Sequence, residues 1–370
     1  MKLIKSKSND RFQVWNLDKE IESTQVRSNL MRDLGLLDNI PKNFLTASNI
    51  ATIPRLVKTH NVLTDIPRGT RPQTLDEDSA GEVNIKVPRF AATASILPAD
   101  LKGKIEIDDF LNPKNDKITL ASIASVMNPK VQRIKETIEN TWETALFNTL
   151  RTGVAYAPNG TIVNEVGQPY DFYDIFGGTR QTFTVDALDP DADVESQIEA
   201  ARAWIQDNLG QGTVVGDFVA LCGTTFFTAL SKHPEVRDAI KTVGGGLAKR
   251  LLIDGKPSQY GREYRQFEYG GVVFIEDRFH MTGSDASQAI IIAKDATDMV
   301  RAYYATPEDK FDLVNSTAKE SYVFRYDNLE QRNEQIVIDG ETLFLFALTR
   351  PNAVQRLELG DAPTPPVTGD

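Results

Sequence analysis

The residues with the means to do chemistry are few and badly spaced for it. Asp189-Pro190-Asp191-Ala192-Asp193 begins like a calcium-binding loop. Val194 then occupies the place of the tight-turn glycine, and Ala200 that of the bidentate glutamate, so the acids read as favouring a helix N-terminus instead. Gly244-Gly245-Gly246-Leu247-Ala248-Lys249-Arg250 lacks the Gly-Lys-Ser/Thr ending of a phosphate-cradling loop and reads as a loop between two halves of a domain. His60, His233 and His280 have no partner at metal-ligand spacing, and no His-Glu-x-x-His occurs. No Gly-x-Ser-x-Gly elbow is present, and Gly283-Ser284-Asp285 reads as a turn. Cys222, in the apolar run 218–222, reads as a buried strand residue in a reducing compartment. These residues predict no catalytic, cofactor-binding or metal site.

Composition narrows the classes further. The 370 residues are 41% hydrophobic and 8% aromatic, enough for two packed units. A net charge of −11 argues against tight, general nucleic-acid binding. No run of eighteen apolar residues exists to span a membrane, and the basic start Met1–Lys7 lacks the apolar stretch of a secretory signal.

The strongest element is a helix over 130–152. Asn128 can cap it and Pro129 suits its first position. Val131, Ile134, Ile138, Trp142, Leu146 and Leu150 fall on one face, and Gly153 supplies a left-handed stop. At about 1.5 Å per residue the rod is roughly 34 Å long. Arg133, Lys135, Glu136, Glu139 and Glu143 lie off that stripe and are expected to be wet or to face a partner. A second helix is predicted from Asn115-Asp116 to Met127.

Around this rod the pattern is turn-rich. Residues 1–45 form an arm whose short stripe of Val26, Leu30, Leu34 and Leu37 must lie on some other surface. Residues 53–66 and 83–94 read as two extended arms flanking a polar tip, with Arg68 and Arg71 on one side and Asp76, Glu77 and Asp78 on the other. Little within the same domain would cover both faces of such a hairpin. Pro158-Asn159-Gly160 signals a turn. From 185 an α+β unit is expected: a helix capped by Asp193 and stopped by Gly210, strands at 218–222, 272–275 and 289–293, and a helix at 224–231. Near the end, 335–338 and 342–348 read as strands joined by a tight turn at Asp339-Gly340, and 360–370 as a disordered tail.

Three stretches carry a resemblance. Tyr269-Gly270-Gly271-Val272-Val273-Phe274-Ile275-Glu276, Tyr303-Tyr304-Ala305-Thr306-Pro307-Glu308-Asp309-Lys310-Phe311-Asp312-Leu313-Val314-Asn315-Ser316 and Leu345-Phe346-Ala347-Leu348-Thr349-Arg350-Pro351-Asn352-Ala353-Val354 resemble, in order, segments of the major capsid protein E family of tailed bacteriophages, the lambda-type shell proteins. Arg68-Gly69, Pro88-Arg89-Phe90 and Pro98 to Gly103 match its usual order upstream. Thr306 and Ser316 depart from the family pattern by small changes. The resemblance runs from about Leu36 to Leu359.

It implies an α+β, Hong Kong 97-type capsid fold: arm 1–45, a peripheral domain begun by 46–154 with an extended loop at about 54–94 and a spine helix at about 129–152, an axial domain 155–315, closing peripheral strands 316–360, and a tail 361–370. It implies a non-enzymatic subunit that assembles with itself, as hexamers and pentamers, into an icosahedral virion shell around double-stranded DNA touched weakly and without sequence preference. Portal, scaffold and decoration proteins are the further partners expected, with no membrane and no cofactor, and assembly is expected in the host cytoplasm. Ile134, Ile138, Trp142 and Leu146 are then the core face of the spine, and the loop tip is expected across a neighbour's Glu136, Glu139 and Glu143. A cargo-loaded compartment of the same fold and an enzyme with an unrecognised site are the alternative readings.

Overall fold

The computed structural model describes residues 13–16, 30–46, 48–57, 79–101, 120–209, 215–242, 248–250, 252–253, 256–257, 263–294, 296, 298–313, 315–328 and 335–361. The loop-tip residues Arg68, Arg71, Asp76, Glu77 and Asp78, the proposed stop Gly210, the glycine-rich loop 243–247 and the tail beyond 361 lie outside them.

The strands in chain order are β1 (Gln13–Asn16), β2 (Lys42–Phe44), β3 (Ile50–Val57), β4 (Ser79–Lys86), β5 (Arg89–Ile96), β6 (Thr182–Val185), β7 (Phe218–Cys222), β8 (Ala248–Arg250), β9 (Leu252–Ile253), β10 (Lys256–Pro257), β11 (Glu263–Tyr269), β12 (Val272–Glu276), β13 (Gln288–Ala293), β14 (Val300–Tyr304), β15 (Tyr322–Asn328), β16 (Gln335–Leu348) and β17 (Val354–Leu359). They make two principal sheets, and the architecture is α+β. The first has six strands in the order β1-β15-β16-β14-β2, with β5 also paired to β16. The second has seven, β6-β17-β13-β7-β12-β11-β8, mixed through the parallel pairs β12 with β7 and β17 with β6. All five residues of β7 are buried, as a continuous apolar run in a sheet covered on both faces must be. Helices Val194–Asn208, Thr224–Lys232 and Pro234–Thr242 pack on this sheet. Asp193 caps the first of them, its carboxylate accepting the Ser196 N–H at 3.0 Å.

The long helix packs on β16 and β5 of the six-stranded sheet. It runs unbroken from Leu120 to Thr152, with Pro129 inside it, so the break expected at Asn128-Pro129 does not occur. A proline there forfeits one backbone hydrogen bond and crowds the preceding turn. Burial of Val126, Met127 and Val131 on both sides of the site holds the two halves in line. Gly153 ends the helix at φ +66°, and its N–H donates to the Thr149 carbonyl.

Gly340 likewise does not turn the chain. β16 is one strand of fourteen residues, and Gly340 sits mid-strand opposite Ala92 and Val323. A Cβ at this position would overlap the Ile134 side chain, so the glycine is the notch that lets the long helix approach the sheet. Turn chemistry and close approach call for the same residue, and only packing tells them apart.

Sheet membership also departs from the divisions drawn on the sequence. The second hairpin arm, expected over 83–94, ends at Lys86, and β5 beyond it belongs to the six-stranded sheet. β14 lies in that sheet although it precedes residue 315, while β17, near the end, closes the seven-stranded one. The 30–40 part of the arm is no free extension: Leu30, Met31, Leu34, Leu36, Leu37 and Ile40 are buried in the core, and the short helix Leu30–Asp33 packs on the long helix.

Candidate assembly interface

The hairpin β3–β4 is the longer of the two ribbons that stand apart from the large sheets among the described residues. Its eight cross-strand pairs, from Ile50 with Lys86 to Val57 with Ser79, form a two-stranded sheet joined to neither large sheet. Period-two alternation puts Ala51, Ile53 and Ile85 on a buried face and Thr52 and Asn84 on an exposed one, where the Thr52 hydroxyl donates to the Asn84 carbonyl oxygen at 2.8 Å. Its root is pinned by charge. Arg89 donates to both Glu341 oxygens, at 2.9 and 2.8 Å, and approaches Asp309 at 3.5 Å. The hydrogen bond to Glu341 raises the already strongly basic guanidinium above its ordinary value. Asn49 donates to Glu308 alongside. A two-stranded ribbon alone is marginal in water, so anchoring at the root sets its direction and leaves its far end to be supported elsewhere.

On the long helix, Ile134, Ile138, Trp142 and Leu146 are buried. The Trp142 indole N–H donates to the Thr342 hydroxyl at 3.2 Å, and its ring meets Tyr304 and Phe344 edge-on. The flank assigned to solvent divides. Gln132, Arg133, Thr137 and Asn140 are exposed and Glu136 half-buried, but Glu139 and Glu143 are 3% and 6% exposed. This corrects the wet-face reading for those two glutamates.

They are covered by their own arm, a segment too short and irregular for periodicity to reveal. Glu143 accepts the Leu30 N–H at 2.9 Å, capping the first turn of the Leu30–Asp33 helix. Arg32 lies 3.6 Å from Glu139 and bonds Asp38 at 3.2 Å. Burial pushes both glutamate carboxyls upward, opposed by Arg32 at Glu139 and by His280 and the Leu30 and Met31 amides at Glu143.

A third element closes this cluster. In the loop after β12, Asp277 accepts the Phe279 and His280 N–H groups and bonds His280 Nδ1 at 2.9 Å, and the imidazole stacks on Phe147 at 4.7 Å. Burial alone would raise the Asp277 carboxyl, but the bonds from His280 hold it below its ordinary value. Burial would lower His280, but Asp277 and Glu143 together hold it above its ordinary 6.5. A carboxylate held low stabilises the fold above pH 3.8, a contribution lost as pH falls through the depressed value. An imidazole held high stabilises it below pH 6.5, a contribution lost as pH rises through the raised value. The pair therefore contributes most near pH 5–6. Asp277→Asn, which keeps the capping oxygen and loses the charge, is expected to cost roughly 1.5–3 kcal/mol there and clearly less at pH 9. Thermal unfolding of both proteins at the two pH values checks this; a cost independent of pH would contradict it.

This cluster escaped sequence reasoning, although Asp277 and His280 stand three residues apart. The sequence holds no cue that Glu143, on another element, faces them. Cys222 is buried and its thiol pushed well upward by that burial, which leaves it a core residue. Among the described residues no three His, Cys, Asp or Glu side chains converge to hold a metal ion. What the surfaces offer is shape, charge and an unsupported ribbon, the chemistry of association.

Comparison with known proteins agrees. The chain is 31% identical over 322 residues to the major capsid protein of Pseudomonas phage KPP10, covering 84% of this chain and 87% of that one. It is 23% identical over 377 residues to the major capsid protein of Salmonella phage Felix O1, covering 94% and 96%. Among solved structures, a prophage capsid protein of E. coli CFT073 aligns over 94% of this chain and 100% of its own at 12% identity, with a TM-score of 0.49. The family model described as phage major capsid protein E matches residues 17–359. Matched by that model over most of its length, the chain belongs to the phage major capsid protein E family.

Proposed function

We propose that this subunit tiles an icosahedral shell as hexamers and pentamers, enclosing double-stranded DNA, and that the β3–β4 hairpin is the clasp between neighbours. In this reading the six-stranded sheet with the long helix is the peripheral domain and the seven-stranded sheet the axial domain. The observation that carries the clasp is the hairpin itself: eight cross-strand pairs joined to neither large sheet and, among the described residues, anchored at the root. Many modest contacts per subunit then make a durable shell, because each further contact forms at high effective concentration. Arg68, Arg71, Asp76, Glu77 and Asp78 at the tip give it two signs of charge for a neighbour's surface. Glu139 and Glu143 are occupied within their own subunit, and the half-buried Glu136 accepts from the Gln132 amide at 3.2 Å.

The net charge of −11 suits a container that touches packaged DNA weakly. Portal, scaffold and decoration proteins are the remaining partners, with assembly in the host cytoplasm and no catalysis by the chain. No helix among the described residues is long and apolar enough to cross a membrane. Sedimentation velocity of the purified protein tests the reading: rings and closed particles are expected, and a stable monomer or small oligomer under all assembly conditions would contradict it.

A further inference from the structure

Phe311 is 96% exposed, the most exposed large hydrophobic side chain among the described residues. It opens the single turn Phe311–Leu313, and that turn is firmly held. The Leu313 N–H donates to the Lys310 carbonyl at 3.1 Å, and Ser316 donates to Leu313 through both its N–H and its hydroxyl. Asn315 takes the left-handed conformation at φ +62°, closing the turn. The Lys310 ammonium bonds Asp309 at 3.0 Å and lies over the rings of Phe324 and Tyr326. A slack loop would fold such a phenylalanine inward; this one presents it to solvent. A rigidly presented aromatic side chain loses little freedom on docking, which is the character of an interface anchor.

The same chain carries a receptor for it. Between the long helix, β2 and residues 317–321 lies an open groove of about 540 Å³. Its walls include Phe44, Ile138, Trp142 and Ala318, and the Phe44 ring, stacked on Tyr304, is itself 41% exposed. Arg32, Lys135 and Lys319 line it together with Glu139 and Glu320, a net charge of +1, while Glu308, Asp309 and Lys310 precede Phe311 on the turn, a net charge of −1. The knob and the groove thus pair an exposed aromatic ring with aromatic walls and are opposite in net charge.

We propose that Phe311 of one subunit seats in this groove of a second copy of the chain. Each subunit then gives one knob and receives one, a heterologous contact of the kind that closes into rings. The inference rests on the self-assembly reading and adds a contact separate from the hairpin clasp.

Two variants test it. Phe311→Ser should leave the melting temperature of the free subunit unchanged, because the ring is almost fully exposed in its own subunit. It should raise the protein concentration needed for assembly by about tenfold or more. Assembly of Phe311→Ser at the wild-type concentration would overturn the inference while leaving self-assembly intact; failure of the wild type to assemble would instead overturn the broader reading. In the second variant a photoreactive p-benzoylphenylalanine replaces Phe311, co-assembled with an excess of isotope-labelled wild type. Irradiation should link it to peptides containing 135–142 or 317–321 of the labelled copy. Links to other regions, to its own chain or to none would overturn the assignment of the groove.

Discussion

Trp142→Ala is expected to give subunits that accumulate largely as insoluble protein. Trp142 stands where four elements meet: the long helix that carries it, β14 with Tyr304, β16 with Phe344, and the segment before β15. Its indole N–H bonds the Thr342 hydroxyl, which in turn donates to the Glu320 carbonyl at 2.7 Å. Truncation removes the ring, leaves a cavity between helix and sheet, and deprives Thr342 of its donor. Buried tryptophan truncations cost roughly 3–5 kcal/mol. Against a typical stability of about 5–15 kcal/mol that is a large share. Asn140→Ala, on the exposed face of the same helix, should remain within about 0.5 kcal/mol of wild type. Glu139→Ala is not a neutral control, because that carboxylate is buried near Arg32. Soluble yield and thermal unfolding followed by circular dichroism distinguish the variants. Equal melting temperatures for Trp142→Ala and Asn140→Ala would contradict the packing described.

Replacing residues 58–78 with a short Asn-Gly turn should act on assembly and spare the subunit. The ladder from Ile50 to Val57 and the buried root at Ala51, Ile53 and Ile85 are kept, as are the bonds of Arg89 to Glu341. None of the described core residues is removed, so circular dichroism and melting temperature are expected to match wild type. Closed particles should fall to below about one-tenth of the wild-type yield, since losing one of several contacts per subunit multiplies over the shell. Single charge reversals at Arg68 or Asp76 should be far milder, each solvated pair contributing only ~0–1 kcal/mol. Sedimentation of both proteins side by side gives the answer. A deletion variant that still forms complete particles would remove the hairpin from the assembly mechanism.

The sequence was most legible where one physical cause acts alone. The 3.6-residue stripe located the buried face of the long helix, and the acid before Val194 located a helix start at Asp193, because periodicity and capping are local. It misled where a residue type serves two causes. Pro129 reads as a helix start but is carried inside a helix by burial around it, and Gly340 reads as a turn but makes room for Ile134. Glu139 and Glu143 read as wet because charge usually is; only the tertiary approach of Leu30–Asp33 and the 277–280 loop covers them. The same limit applies to sheet membership, since β14 lies in the six-stranded sheet and β17 in the seven-stranded one, a division that no local pattern marks. The unsupported hairpin, by contrast, was legible as a puzzle, two extended arms with too little of their own fold to cover them.

On the clasp proposal this ribbon belongs to the shell more than to the subunit. Electron cryomicroscopy of assembled particles, with the chain traced from Val57 to Ser79, tests it most directly. Residues 58–78 of each subunit are expected to lie against a neighbouring subunit, with the charged tip in contact there. Density showing those residues folded back on their own subunit, touching no neighbour, would contradict it.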